Sequence, residues 1–414
     1  MHLKNIILDK TLVWNGISSL LFGFQSVILL AILTRVVGIN ESGIFTIAYA
    51  NASLFLLVGK YGVRNYHVSD VRTDHTFGDY RVARIITVIV MISSFGISLI
   101  YFARLNNYSL HKSLIMILLC LYKLPDAIED VYYGEFQRQG GLLIAAQIMS
   151  FRLVISIVSL VVSIIISQKL VTSLLISIIL SFLSMYIMIF LLNKDFCLDK
   201  YKGFASVREI LIGCFPLFAG TFFSQYLSNA PKYAIDAHLA DEIQACYGFI
   251  SMPVFVINLL NNIIFSPIIH KMSEFWQDNN INNFCKRFIK QIKIIGILAV
   301  ITILGAWFWG IPVLSILYST DLSEYKRELI ILLCGGFFLA ISGLFNIMLT
   351  IMRKQYTLLA GYILVSVIAW IFCDKIVMNA GVLGAALIYT GLMMFLALFF
   401  MLVFWCNFKM KKLQ

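Results

Sequence analysis

The chain has 414 residues, of which 60% are hydrophobic and 13% charged, and a net charge of +11, whereas soluble domains carry roughly a quarter charged residues. A fold in water cannot hide that much apolar surface, which excludes an ordinary soluble enzyme. A bilayer core about 30 Å thick takes about 20 apolar residues per helix, so length here converts into spans instead of globular domains.

Reading between charges, candidate spans fall near residues 11 to 34, 42 to 60, 85 to 103, 112 to 134, 140 to 168, 170 to 192, 208 to 231, 243 to 266, 290 to 313, 329 to 352, 355 to 373 and 377 to 407. The expectation is an all-α polytopic membrane protein of about twelve helices, with the last two spans separated by a short turn around Asp374 and Lys375. The opening segment MHLKNIILDKTLVWNG lacks a short apolar stretch with a small-residue cleavage site, and is expected to be retained. Lys and Arg gather in the loops on one face: Lys60 to Arg84, Lys194 to Arg208, Lys271 to Lys293, and the tail with Lys409, Lys411 and Lys412. Such a bias places that face, and with it both termini, in the cytoplasm. These cations are spread over loops and build no stripe, so nucleic acid is not expected as a partner. No loop is long enough to fold as a separate domain.

The longest central interruption, NKDFCLDKYKGFASV from Asn193 to Val207, divides the chain in two. The expected organisation is an N-terminal lobe over 1–193 (helices 1–6), a cytoplasmic linker over 194–207 and a C-terminal lobe over 208–414 (helices 7–12). RVVGINESGIFTIAYA from Arg35 aligns with AHLADEIQACYGFISM from Ala237, placing Gly43 over Ala245 and Phe45 over Tyr247. Each is a polar turn, a small residue and an aromatic between the first and second spans of its half. Six spans per half is an even number, so the repeat is parallel. Two bundles would then flank a central cavity and rock about it to give alternating access.

Charged side chains cost about 2.5 to 3.5 kcal/mol or more at a helix centre in the membrane, so each needs a partner or a wetted cavity. The fourth span, YKLPDAIEDVYYGEFQRQG, holds Lys123, Asp126, Glu129 and Asp130, and the fifth, AAQIMSFRLVISIV, holds Arg152. At helical spacing Lys123, Asp126 and Asp130 share a face and Glu129 points elsewhere. Lys123 and Arg152 each lie about a dozen residues, or roughly 18 Å, from the turn at Glu135 to Gly140, which puts both near the midplane. They either face the cavity and hold an anionic headgroup, or, for Arg152, form a buried ion pair with Asp126 or Asp130. The acids are either partners of neighbouring cations or a gate and ion-coupling site. Arg64, near the end of the second span, is a candidate cavity-mouth cation. Lys232 and Asp236 sit at the outer end of the seventh span beside Pro231, which is expected to distort that helix, as a gate or a simple helix end.

No GxxxxGK phosphate loop and no HExxH or His/Cys cluster appears, so neither nucleotide nor metal is expected. The eight cysteines show no CxxC spacing and read as packing residues. His67, His75, His238 and His270 read as interfacial residues.

The set YGVRNYHVSDVRTDHTFGDYRVAR, KLPDAIEDVYYGEFQRQGGLLIAAQ and SNAPKYAIDAHLADEIQACYGFISMPVFVINLLNN resembles the Wzx-type polysaccharide flippases of the multidrug/oligosaccharidyl-lipid/polysaccharide exporter superfamily, along nearly the whole chain. That resemblance implies two six-helix lobes that move undecaprenyl-diphosphate-linked oligosaccharide from the inner to the outer leaflet of the plasma or inner membrane, for capsule or surface-glycan assembly, without a cofactor. Its implied partners are the lipid-linked substrate, membrane lipids, and the polysaccharide polymerase with its chain-length machinery. The family's cavity cations would map onto Arg152, Arg64, Lys123 and Lys232. The related lipid II flippases have an Arg-rich first span, whereas no charge lies between Thr11 and Arg35 here. Two other functions stay open: a cation-coupled drug exporter of the same superfamily, using Asp126 or Asp130, and a membrane-embedded polymerase or glycosyltransferase, for which the outer loops are short.

Overall fold

The computed structural model describes residues 2–70, 74–192, 201–278 and 280–413. Residues 71–73, in the first loop expected to be cytoplasmic, and 193–200, which take in half of the expected 194–207 linker, fall outside the described residues, as do the side chains of His270, Lys411 and Lys412. Among the described residues every regular element is helical. In chain order these are α1 (His2–Val36), α2 (Ile39–Lys60), α3 (Val63–Ser69), α4 (Phe77–Leu105), α5 (Leu110–Arg138), α6 (Leu142–Ser167), α7 (Leu170–Leu192), α8 (Phe204–His238), α9 (Asp241–Gln277), α10 (Ile281–Gly305), α11 (Ile311–Tyr318), α12 (Lys326–Ile351) and α13 (Gln355–Leu413). Among the described residues nine helical stretches are long and apolar enough to cross a membrane. α5 matches them in length at 29 residues, and its charges set it apart.

Helix ends follow local chemistry. Thr76 and Asp79 close a reciprocal capping box that starts α4, and the Ser109 hydroxyl accepts from the Lys112 N–H to start α5. α2 stops at Tyr61 and Gly62, both left-handed, with Gly62 at φ 70°. Glycine suits this turn because it enters the left-handed region without a Cβ penalty; a Cβ there would also press on the end of the Leu217 side chain at 3.1 Å, which would have to shift slightly.

The backbone bears on two of these expectations. The break between the last two spans falls at Gly381 (φ 55°, ψ −135°), not at Asp374 and Lys375, because glycine enters that backbone region without a Cβ penalty while two charged residues at a helix end keep helical geometry. α8 stays helical through Pro231, so whatever distortion the proline brings does not break it; away from water, a helix that gave up more hydrogen bonds around the proline would leave them unmet. Proline does leave a mark further on, where a π-helical turn over Ala306–Gly310 precedes α11. Pro312, in the first turn of α11, has no N–H and clashes with the carbonyl four residues back, so the preceding turn widens.

The chain divides into two compact units, Met1–Phe222 and Phe223–Gln414, with the division inside α8, beyond the 194–207 linker. In the first unit α5 is the central helix, packing on α2, α3, α4, α6 and α7. In the second, α12 packs on α9, α10 and α13. The second span thus packs on the fourth in one unit and the eighth on the tenth in the other.

Candidate functional site

α5 carries its charge inward. Lys123 and Arg152 are 1% and 2% exposed, and Asp126, Glu129 and Asp130 are also buried. At such burial each charge must be matched. The Lys123 ammonium donates to Gln25 Oε1 at 2.6 Å and to the Tyr49 hydroxyl at 2.9 Å. It lies 3.4 Å from Asp126 Oδ2, over the Tyr49 and Phe22 rings. Gln25 is held in turn by the Tyr122 hydroxyl, to which its amide donates at 2.7 Å. Arg152, from α6, closes on Asp126 and places Nε 2.5 Å from Glu129 Oε1. Two cations and two carboxylates therefore form one compensated network in the middle of the first unit.

The expected face is corrected in one respect. Glu129 joins Asp126 at Arg152, while Asp130 turns to α2 and α4. The longer glutamate reaches around α5 to the α6 guanidinium, whereas the shorter Asp130 meets what lies directly opposite it. Of the two roles open to Arg152, the buried ion pair with Asp126 is the arrangement present, extended by Glu129.

Around Asp130 the balance differs. Arg84 Nη2 lies 2.7 Å from Asp130 Oδ2, and Arg84 also donates to the Gly59 carbonyl, which Thr87 shares at 2.8 Å. Arg64 and Lys60 approach the same carboxylate only to 3.9 and 4.0 Å, and each side chain is 26% exposed. Arg64 further donates to Gln137 Oε1 at 3.0 Å. Both cations line a cavity of about 390 Å³, with Asn15, Asn65, Asp130 and Gln137 contributing polar groups. Three cations thus face one carboxylate, and the cavity wall carries a positive surplus suited to an anion. Arg64 is legible from the sequence as a candidate; Lys60 and Arg84 do not stand out there. The signal for Arg84 is a cation in the first turns of an otherwise apolar span.

The adjoining end of the unit is tied down by polar contacts. His67 is fully buried, stacked 3.9 Å from the Tyr80 ring, with Nε2 2.7 Å from Glu135. His75 is buried as well and bonds the Ser206 hydroxyl at 2.7 Å. Neither is the interfacial residue expected, because each finds a polar partner that offsets its burial. Asp79 accepts from the Lys202 backbone N–H at 2.8 Å and from the Ser206 hydroxyl at 2.9 Å, which fastens the start of α8 to the start of α4. Asp70, between α3 and α4, is raised by partial burial and lowered by hydrogen bonds from the Asp74 and His75 N–H groups and the Tyr80 hydroxyl; the bonds win and hold its carboxyl below the usual range.

In the second unit, Lys232 is half-buried and meets no carboxylate among the described residues. Asp236 is buried on the same face of α8, one turn further on. His238 lies 3.9 Å from Asp374.

The helical arrangement is similar in fold to several solved membrane transporters. A multidrug-resistance transporter of the MATE family, solved in an inward-facing conformation, matches with a TM-score of 0.74 over 94% of this chain and 95% of its own, at 12% identity. The lipid II flippase MurJ, in an inward closed conformation, matches at 0.70 over 95% and 87%, at 14% identity. A MOP superfamily transporter from Pyrococcus furiosus, described as having a binding pocket of reverse polarity, matches at 0.62 over 97% and 95%, at 12% identity. No protein-family model and no curated protein sequence matches the chain. At these identities the likeness is one of fold, and it agrees with the all-α, multi-pass architecture expected from the sequence.

Proposed function

We propose that this protein is a flippase that moves undecaprenyl-diphosphate-linked oligosaccharide across the membrane by alternating access, with the Lys60/Arg64 cavity receiving the diphosphate. The observation that carries this reading is the surplus of three cations over one carboxylate around Asp130, with two of the cations accessible. A diphosphate with its sugars cannot enter hydrocarbon unaided, and a positive, polar cavity offsets its desolvation while the polyprenyl tail stays in lipid. Arg64 supplies a planar fork that matches phosphate oxygens, and Lys60 a mobile point charge. Lys232, which meets no carboxylate among the described residues, is a further cation for the same substrate. Arg152 and Lys123 serve it less directly, since Asp126 and Glu129 already neutralise them; they meet an anion when those carboxylates let go.

A cation-coupled drug exporter is the second reading, favoured by the buried carboxylates Asp126 and Glu129, which a transported ion would have to reach. Deleting the gene separates the two. A flippase leaves lipid-linked oligosaccharide accumulated on the cytoplasmic leaflet, and Lys60→Gln/Arg64→Gln fails to complement. Loss of lipophilic-cation efflux with normal glycan export would overturn the proposal. In the proposed role the protein works in the plasma or inner membrane with both termini cytoplasmic, is not an enzyme, and hands its cargo to the polymerase and chain-length machinery.

A further inference from the structure

We propose that the outer face of α10 binds an anionic glycerophospholipid of the bilayer, of the phosphatidylglycerol type, independently of any transported substrate. At about 100° per residue, Lys286, Lys290 and Lys293 fall on one face, and that same face continues through Ile297, Val300, Ile301 and Leu304. All three lysines are exposed, and the four apolar residues are between 54% and 60% exposed. A row of positive heads followed by a bare apolar lane matches a phosphate headgroup with its acyl chain laid along the helix.

Two observations separate this face from ordinary loop charge. Lys286, Arg287, Lys290 and Lys293 have no carboxylate partner among the described residues; Arg287 rests over the Phe275 ring instead. Lys286, Arg287 and Lys290 also wall a cavity of about 410 Å³ whose remaining lining is Gln291 and Ile294. Gln291 is only 5% exposed, yet its Oε1 accepts no hydrogen bond among the described residues. A buried amide oxygen beside unpaired ammonium groups calls for a ligand that is both anionic and a hydroxyl donor. A glycerol headgroup on a phosphate supplies both; a choline headgroup supplies a second cation and no hydroxyl.

The test is native mass spectrometry of the purified full chain, titrated with phosphatidylglycerol and phosphatidylcholine of equal chain length. The expected result is a preference for phosphatidylglycerol that falls by about fivefold per charge removed in Lys286→Gln/Lys290→Gln/Lys293→Gln. The triple Lys→Arg variant should keep it, and so should Lys354→Gln, a single-charge control on another part of the chain. Equal binding of the two lipids by the wild type, an unchanged preference in the triple Gln variant, or an equal loss in Lys354→Gln would each overturn the proposal. Competition by free glycerol phosphate at the concentrations where the lipid binds would show a headgroup-only site and overturn the acyl lane. Glycan export by the triple Gln variant bears on the flippase reading alone, which stands or falls separately.

Discussion

Arg84 meets Asp130 at 2.7 Å with both side chains almost sealed, at 3% and 9% exposed, while Arg64 and Lys60 stand at 3.9 and 4.0 Å from the same carboxylate on the open side. The buried partner takes up the carboxylate's charge and leaves the accessible pair with more positive charge than the site neutralises. Asp130→Asn strips the counter-charge from a buried guanidinium, and breaking such a pair costs about 3 to 5 kcal/mol. The expected outcome is a lowered melting temperature in detergent and less protein in the membrane. A melt unchanged from wild type would show that Arg84 finds another acceptor.

Lys60→Gln and Arg64→Gln should behave differently. Both cations are partly exposed and near the limit of ion-pair distance, so their loss should change stability by less than about 1 kcal/mol. If the cavity receives a diphosphate, the double variant should stay at wild-type abundance and lose most transport. Abundance by immunoblot beside accumulation of lipid-linked oligosaccharide checks both halves of the expectation. Full export at full abundance would remove the cavity from the substrate path.

Arg152→Ala is expected to act through folding. It leaves Asp126 and Glu129 facing each other with only Lys123 to offset their charge, at a cost of about 3 to 5 kcal/mol. Membrane levels should fall. A triple variant, Arg152→Met/Asp126→Asn/Glu129→Gln, removes both signs of charge together and should regain much of the lost level, since a buried pair replaced as a unit is often near neutral. Stable protein in Arg152→Ala without that rescue would argue that the guanidinium faces an open, wetted space.

What is legible in the sequence and what is hidden there have different physical origins. Spans can be read because uncharged runs of bilayer length are a local property of the chain, and the same holds for the charges of α5. Their partners cannot be assigned, because they arrive from α1, α2, α4 and α6. Gln25 and Tyr49 reach Lys123 from 98 and 74 residues away, and Arg84 reaches Asp130 from 46. Helical phase alone puts Asp130 with Asp126, and a side chain's reach rather than its phase sends Glu129 to Arg152 instead. His67 is hidden for a related reason: a polar residue in a polar stretch reads as solvated, and nothing local announces that Tyr80 and Glu135 will enclose it. The Gly381 turn is the opposite case, where two charges draw attention and one glycine sets the backbone.

Asp70 gives a prediction in pH. Its carboxylate accepts from two backbone N–H groups and from Tyr80 at 2.9 Å, and its pKa lies below the ordinary value. A depressed carboxylate contributes stability that is fully present above the unfolded-state pKa, about 3.9, and is lost as pH falls through the lower folded-state pKa. The wild type should therefore keep this contribution at neutral pH and shed it only below about pH 4. Asp70→Asn keeps the shape but accepts through one oxygen without charge, so it should lower stability by about 1 kcal/mol at neutral pH, a figure reduced for the residue's partial exposure. The gap between the two proteins should then narrow as the medium is acidified. Thermal melts of both across pH 3 to 7 test this. A gap that stays constant over the whole range would mean that the loop between α3 and α4 is held by its backbone and by Tyr80 packing, with the Asp70 charge contributing nothing.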